Sequence, residues 1–82
     1  MAIGKNDLVK AWNRAATIRG KDPDNWRRDE MGNIIRRSSY GTQGEYGWEI
    51  DHRNPTSRGG TDHGRNLRVL HWASNRRKSD RV

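Results

Sequence analysis

The residues best suited to chemistry lie in the last third of the chain. Asp51 and His52 are adjacent, and Asn66, Asn75 and Lys78 follow His52 at successive intervals of 14, 9 and 3 residues. A neutral imidazole is a general base near pH 7, and carboxylate and amide oxygens are ligands that hard divalent cations prefer. His52 thus offers an imidazole, and Asp51 and Asn75 offer a carboxylate and an amide oxygen that both suit Mg²⁺ or Mn²⁺.

Cleavage of a phosphodiester is the reaction that uses these groups together. It requires a deprotonated water, stabilisation of negative charge on the phosphoryl group and the leaving oxygen, and a backbone held in line. The imidazole and the cation meet the first two needs, and Lys and Arg side chains can hold the phosphates. The predicted phosphate-binding side chains are Lys78, Arg53, Arg58 and Arg76.

The charge of the chain agrees with a polyanionic partner. Seventeen basic and ten acidic residues give a net charge of +7. Residues 51–82 have eight basic and three acidic groups, whereas residues 1–50 have nine and seven. Because phosphates attract such an excess by releasing counterions, we expect nucleic acid to bind the C-terminal part. A basic surface that serves only solubility is the alternative.

The hydrophobic pattern predicts the elements that position these residues. Trp48–His52 alternates apolar and polar side chains, as a strand does. A loop with one proline and three glycines follows over residues 53–65, then a second strand over residues 66–70 and a helix from residue 72 to about 81. This order is a ββα unit. Strand alternation puts Asp51 and His52 on opposite faces, so a strand end or a local twist must bring them together.

The first half of the chain predicts a helix and a short β-hairpin. Asn6 or Asp7 can cap a helix that runs to about Arg19. Residues 26–28 and 34–37 predict two strands around a turn at Met31-Gly-Asn33. The fold class is therefore α+β in a small single domain, residues 1–82. Residues 1–46 are expected to support the ββα part at residues 47–82, with Trp12, Trp26 and Trp48 in the core.

This pattern resembles the HNH endonuclease motif. The residues that carry the resemblance are Trp48-Glu-Ile-Asp-His-Arg-Asn-Pro55, Ser57-Arg-Gly-Gly60, Asn66-Leu67, Leu70, Asn75 and Lys78. The resemblance covers about 34 residues, from Gly47 to Asp80, and the spacing is similar to that in the HNH domain of RNA-guided CRISPR nucleases. The resemblance implies a ββα-metal (His-Me finger) fold and a DNA endonuclease that leaves 5′-phosphate and 3′-hydroxyl ends.

The resemblance also implies a role for each matching residue. His52 would be the general base, and Asp51 and Asn75 would hold the cation. Asn66 would fix the loop and help to orient His52, and Lys78 would contact phosphate or a neighbouring acid. Many members have His where this chain has Asn75, and an amide oxygen suits Mg²⁺ better than zinc. The chain also lacks cysteine, so we expect no structural zinc.

Several alternatives remain at this level. His71 and His63 are lesser candidates for catalysis or metal ligation, and Glu49 could support the metal or be a solvated carboxylate. A non-catalytic nucleic-acid-binding module is the alternative function, a toxin-like effector nuclease ranks third, and RNA is the alternative substrate. With no apolar run of membrane or signal-peptide type, we expect a cytoplasmic protein without a membrane partner. A monomer is compatible with the sequence.

Overall fold

The described part of the chain folds into two helices, five short strands and one 3-10 turn. The computed structural model describes residues 4–54, 59 and 66–79, with residues 78 and 79 by backbone alone. The elements are α1 (Lys5–Arg14), β1 (Ala16–Thr17), β2 (Trp26–Arg28), β3 (Ile34–Arg36), the 3-10 turn (Arg37–Ser39), β4 (Trp48–His52), β5 (Leu67–His71) and α2 (Trp72–Ser79). The predicted α+β class is confirmed.

Helix α1 is shorter than its sequence pattern predicts. It starts after Gly4 rather than at Asn6 or Asp7, and it ends at Arg14. Residues 16 and 17 instead pair with β2 as an antiparallel strand. The buried guanidinium of Arg27 donates hydrogen bonds to the carbonyls of Asn13 and Ala15, at 3.1 and 3.0 Å. The carbonyl groups at the end of α1 thus find their hydrogen-bond donor in the side chain of Arg27. Local helix propensity does not predict this contact.

Strands β2 and β3 form the predicted hairpin, and one buried carboxylate organises its turn. Asp29 is 4% exposed. Its Oδ1 accepts hydrogen bonds from the backbone N–H groups of Met31 (3.0 Å) and Asn33 (2.7 Å). Gly32 has φ +86°, a conformation that glycine adopts without steric cost. The turn is therefore specified by Asp29 together with Gly32.

Strands β4 and β5 pair in antiparallel register, with Asp51 opposite Arg68 and His52 opposite Leu67. Helix α2 packs against both strands, so the predicted ββα unit is confirmed. Strand β5 starts one residue later than predicted and extends to His71, which pairs with Trp48. The two-stranded sheet therefore presents one face to α2 and its other face to the rest of the chain.

The hydrophobic core lies on the face of the sheet remote from α2. It consists of Ala11, Trp12, Ile35, Trp48 and Val69, and Leu8, Ala15 and Ile50 pack against it. The two buried indoles also donate hydrogen bonds, from Trp12 to the Pro23 carbonyl at 3.2 Å and from Trp48 to the Arg36 carbonyl at 2.7 Å. The core thus joins α1, the hairpin and the β4–β5 sheet.

The expectation that Trp12, Trp26 and Trp48 all lie in the core is wrong for Trp26. It is only half-buried, packs edge-on against Tyr46, and has Lys21 and Arg36 at 4.8 and 5.4 Å from its ring centroid. Trp26 therefore covers the outer side of the hairpin, where a cation can contact its ring face. Among the described residues, no helix is both long and apolar enough to cross a membrane.

Candidate functional site

The end of β4 presents Asp51 and His52 beside β5. Asp51 accepts a hydrogen bond at Oδ2 from Nε of Arg68, its cross-strand partner, at 2.9 Å. The two side chains are 12% and 16% exposed, so this ion pair is largely shielded from water. Strand alternation assigns Asp51 to the α2 face and His52 to the opposite face. His52 is the last residue of β4, at the point where the chain leaves the sheet.

Asn66 holds the backbone that directly follows His52. Its Oδ1 accepts from the N–H of Asn54 at 2.7 Å, and its Nδ2 donates to the carbonyl of Asn54 at 3.0 Å. Its own carbonyl accepts from the N–H of Arg53 at 2.8 Å. Three hydrogen bonds thus connect residues 53 and 54 to the residue before β5. Asn66 fixes the exit of β4, and with it the backbone beside the imidazole.

Asn75 lies over the same face of the sheet as Asp51. Its Nδ2 donates to Oε1 of Glu49 at 2.9 Å. Glu49 and Asp51 are two residues apart on β4 and therefore share a face. An ionised carboxylate only accepts hydrogen bonds, so the nitrogen of the Asn75 amide must face Glu49. This contact orients the amide of Asn75, with its nitrogen toward Glu49 and its oxygen turned away.

An ion-pair chain connects Asp51 to the surface. Glu30 contacts Arg53 at 2.5 Å through Oε1 and Arg68 at 3.7 Å through Oε2. Arg68 in turn contacts Asp51. Arg53, which the sequence predicts to bind phosphate, thus contacts a carboxylate in this structure, and its side chain is 52% exposed. The importance of Arg68 and Glu30 was missed by the sequence analysis, because their contacts join segments distant in sequence.

The structure describes only some of the other residues that the sequence predicts to bind phosphate. Arg76 lies exposed on α2, next to the exposed Arg77. Arg58 lies outside the described residues, as does the alternative histidine, His63. Lys78 belongs to α2, and its side chain also lies outside the description.

His71 is a structural histidine in the described part of the chain. Its Nδ1 accepts from the N–H of Ala73 at 3.1 Å, and its Nε2 lies 2.8 Å from the carbonyl of Glu45. A carbonyl can only accept, so the neutral ring carries its proton on Nε2. The ring also stacks on Trp72. Both nitrogens are therefore engaged with the backbone, at the end of the sheet opposite His52.

Asp29 is the third residue whose importance the sequence analysis missed. Besides the turn, its Oδ2 accepts from the backbone N–H of His71 at 2.8 Å and from Nδ2 of Asn33 at 3.1 Å. Asn33 also donates to Oγ of Ser74, at 3.0 Å. These hydrogen bonds thus connect the hairpin turn to the junction of β5 and α2. The sequence signal for it was the run Asp29-Glu-Met-Gly-Asn33, since Asp before such a turn accepts from the following N–H groups.

The described residues contain no group of three or more His, Cys, Asp or Glu side chains that could hold a metal ion. On the α2 face, Asp51 offers a carboxylate and Asn75 an amide oxygen, while the carboxylate of Glu49 accepts the hydrogen bond from Asn75. Mg²⁺ commonly uses one or two protein oxygens and keeps several waters. An oxygen pair of this kind therefore fits a hard divalent cation.

Comparison with known proteins identifies the family. Residues 37–81 match the sequence model of the family described as HNH endonuclease, which is more than half of the chain. The chain belongs to the HNH endonuclease family. The match contains Asp51, His52, Asn66 and Asn75, and it begins ten residues before Gly47, so the HNH region includes the 3-10 turn. No curated protein and no solved structure matches the chain.

Proposed function

We propose that this HNH protein is a metal-dependent endonuclease that nicks duplex DNA with low sequence specificity. The observation that carries the proposal is the arrangement of Asp51 and Asn75 over one face of the β4–β5 sheet, within the segment that matches the family. His52 follows Asp51 as the last residue of β4. The net charge of +7 supports a polyanionic substrate. RNA is the other substrate of the same chemistry.

Asp51 and the amide oxygen of Asn75 are proposed to hold one Mg²⁺ or Mn²⁺. When bound, the cation would stabilise negative charge on the scissile phosphate and the leaving oxygen. Glu49 keeps Nδ2 of Asn75 turned toward itself, so that Oδ1 is the ligating atom. Arg68 holds one oxygen of Asp51. A carboxylate has about four lone-pair sites, so a guanidinium and a cation can share it.

His52 is proposed to accept the proton of the attacking water. The Asn66 hydrogen bonds to Asn54 hold the backbone next to the imidazole, which limits how far the ring can move. Asn66 is thus a positioning residue: it acts through the backbone and through His52. Lys78, Arg53, Arg58 and Arg76 are proposed to contact phosphates of the DNA, Arg53 after it releases Glu30.

A non-catalytic nucleic-acid-binding module is the second candidate. The observation that favours it is the Asp51–Arg68 ion pair, because a guanidinium already neutralises the proposed metal ligand. A binding module would bind DNA equally well with and without divalent cations, and would leave a supercoiled plasmid intact.

The deciding experiment measures plasmid nicking with Mg²⁺, Mn²⁺ or chelator, in wild type and in Asp51→Ala. We expect wild type to nick with either cation and not with chelator. Asp51→Ala should lose roughly 100-fold in rate or more, since electrostatic stabilisation of this kind contributes about that much. Mn²⁺ binding followed by titration calorimetry should also be lost.

Asp24→Ala is the matched control, because Asp24 is an exposed carboxylate in the turn before β2. It should nick and bind Mn²⁺ as wild type does. Nicking by Asp51→Ala at the wild-type rate would refute the metal site. Wild type that binds DNA but nicks with neither cation would establish the binding module instead.

Glu49 provides a separate prediction about the orientation of Asn75. Glu49→Ala should weaken Mn²⁺ binding by about 10-fold, in the lower part of the range for losing a partner that orients a metal ligand. Glu49→Gln can still accept the Asn75 hydrogen bond through its amide oxygen, so it should keep most of the affinity. Equal losses in the two variants would show that the charge of Glu49 matters and that its hydrogen bond does not.

A further inference from the structure

A cleft beside the candidate site is lined by four arginines. It has a volume of about 270 Å³ and lies between the C-terminal end of α1, the end of β2, and β5. Its charged lining residues are Arg14, Arg28, Arg53, Arg68, Asp29 and Glu30. Four positive and two negative groups leave an excess of two positive charges.

The two acids in this cleft are bound differently. Both carboxylate oxygens of Asp29 accept hydrogen bonds from the hairpin turn and from β5, so this acid belongs to the fold. Glu30, in contrast, forms ion pairs with Arg53 and Arg68 among the described residues, and its side chain is 34% exposed. Glu30 is therefore the group in the cleft that a competing anion can displace.

Guanidinium groups bind phosphate and carboxylate with the same planar fork. The carboxylate of Glu30 between Arg53 and Arg68 thus marks a position where an anionic group fits. The volume is just below the roughly 300–1,000 Å³ of small-molecule sites, and so suits a single phosphodiester unit. Arg68 contacts Asp51, and Arg53 directly follows His52, so the cleft adjoins the proposed scissile position.

We propose that this arginine cleft binds a backbone phosphate of the DNA next to the scissile one, and that Glu30 occupies the place of that phosphate in the free protein. The inference rests on the proposed function, since it takes DNA as the ligand. When DNA binds, the phosphate replaces the carboxylate between Arg53 and Arg68, with Arg28 and Arg14 at the sides. Glu30 thereby lowers affinity for DNA and keeps the arginines paired until a phosphate arrives.

The test measures binding of a duplex of about 20 base pairs by fluorescence anisotropy, with chelator present and over a range of salt concentrations. Arg28→Gln should weaken binding by about 5- to 10-fold at low salt and reduce the salt slope by roughly 0.9, the value for one lost phosphate contact. Arg28 is exposed and donates to the Gly32 carbonyl, so thermal melting checks that the hairpin persists. Arg36→Gln is the control, because Arg36 lies at the opposite end of the hairpin and pairs with Trp26.

Glu30→Gln provides a test in the opposite direction. It should tighten DNA binding by about 5-fold or more, because the displaced carboxylate no longer competes. Glu45→Gln removes the same charge near His71, about 13 Å of strand away from His52, and should tighten binding clearly less. Equal effects of Glu30→Gln and Glu45→Gln, or of Arg28→Gln and Arg36→Gln, would overturn the cleft as a phosphate site.

Because the anisotropy assay contains chelator, it does not depend on cleavage. If the wild type nicks DNA and the variants bind DNA as tightly as their controls do, only the proposal for the arginine cleft is refuted. A wild type that binds no DNA at all would refute both the cleft and the proposed function. Inorganic phosphate at millimolar concentration is a further probe. If it stabilises the wild type against thermal unfolding, but variants and controls bind DNA with equal affinity, that result would also count against a DNA site.

Discussion

His52→Ala is expected to lower the rate of plasmid nicking by about 100- to 10,000-fold, the usual contribution of a positioned general base. Binding of duplex DNA with chelator present should change by less than about 2-fold, because the imidazole is proposed to act on water and the arginines to hold the phosphates. Rates with saturating Mg²⁺ or Mn²⁺, and anisotropy without cation, measure the two quantities separately.

Added imidazole sharpens this test of His52. A small base that diffuses into the space of the missing side chain should restore part of the nicking rate in His52→Ala, and it should not accelerate wild type. Asp51→Ala is the matched variant, since its defect is loss of the cation and imidazole should not rescue it. Nicking by His52→Ala at the wild-type rate would contradict the assignment of His52 as the base. Equal rescue of both variants by imidazole would contradict the separation of the base from the cation site.

Asp29→Ala is expected to destabilise the fold by about 3–5 kcal/mol, because it leaves several buried hydrogen-bond donors without their acceptor, each at a cost of about 1–3 kcal/mol. Asp29 is 4% exposed and accepts from three backbone N–H groups, those of Met31, Asn33 and His71. A chain of 82 residues has only about 4–12 kcal/mol of total stability at typical values per residue. A large fraction of the variant should therefore be unfolded at physiological temperature.

Urea denaturation followed by tryptophan fluorescence measures this loss. Asp29→Asn should also be destabilising, by about 2–4 kcal/mol, because an amide nitrogen in place of one oxygen meets donors rather than acceptors. Asp24→Ala, at an exposed position, should change stability by less than about 0.5 kcal/mol. A loss below about 1 kcal/mol for Asp29→Ala would show that the link between the hairpin and β5 is not needed for the fold.

The strands of the ββα unit are predictable because their signal is local. Alternation between Trp48 and His52 defines β4 with its observed bounds, and the run that follows the loop defines β5 to within one residue. The turn of the β2–β3 hairpin is equally local, since it depends on residues 29–33. Such patterns need only neighbouring residues, and a single sequence contains them in full.

The end of α1 could not be predicted in the same way. Residues 15 to 19 continue a helical pattern, but residues 16 and 17 pair with β2, and Arg27 binds the carbonyls at the helix end. These contacts come from a segment at least ten residues away. Tertiary pairing therefore overrides a weak helical preference, which is why the helix stops at Arg14.

The sequence by itself determined the family, the α+β class and the order of the proposed site residues, because each depends on residue type and on spacing along the chain. Only the tertiary structure decided what these residues contact. In it, Arg68 contacts Asp51, and the amide nitrogen of Asn75 faces Glu49. Both ring nitrogens of His71 contact the backbone, and four arginines line one cleft. Each contact joins segments at least 15 residues apart or lies in a junction between elements. Strand register and helix packing bring such groups together, and no local pattern records them.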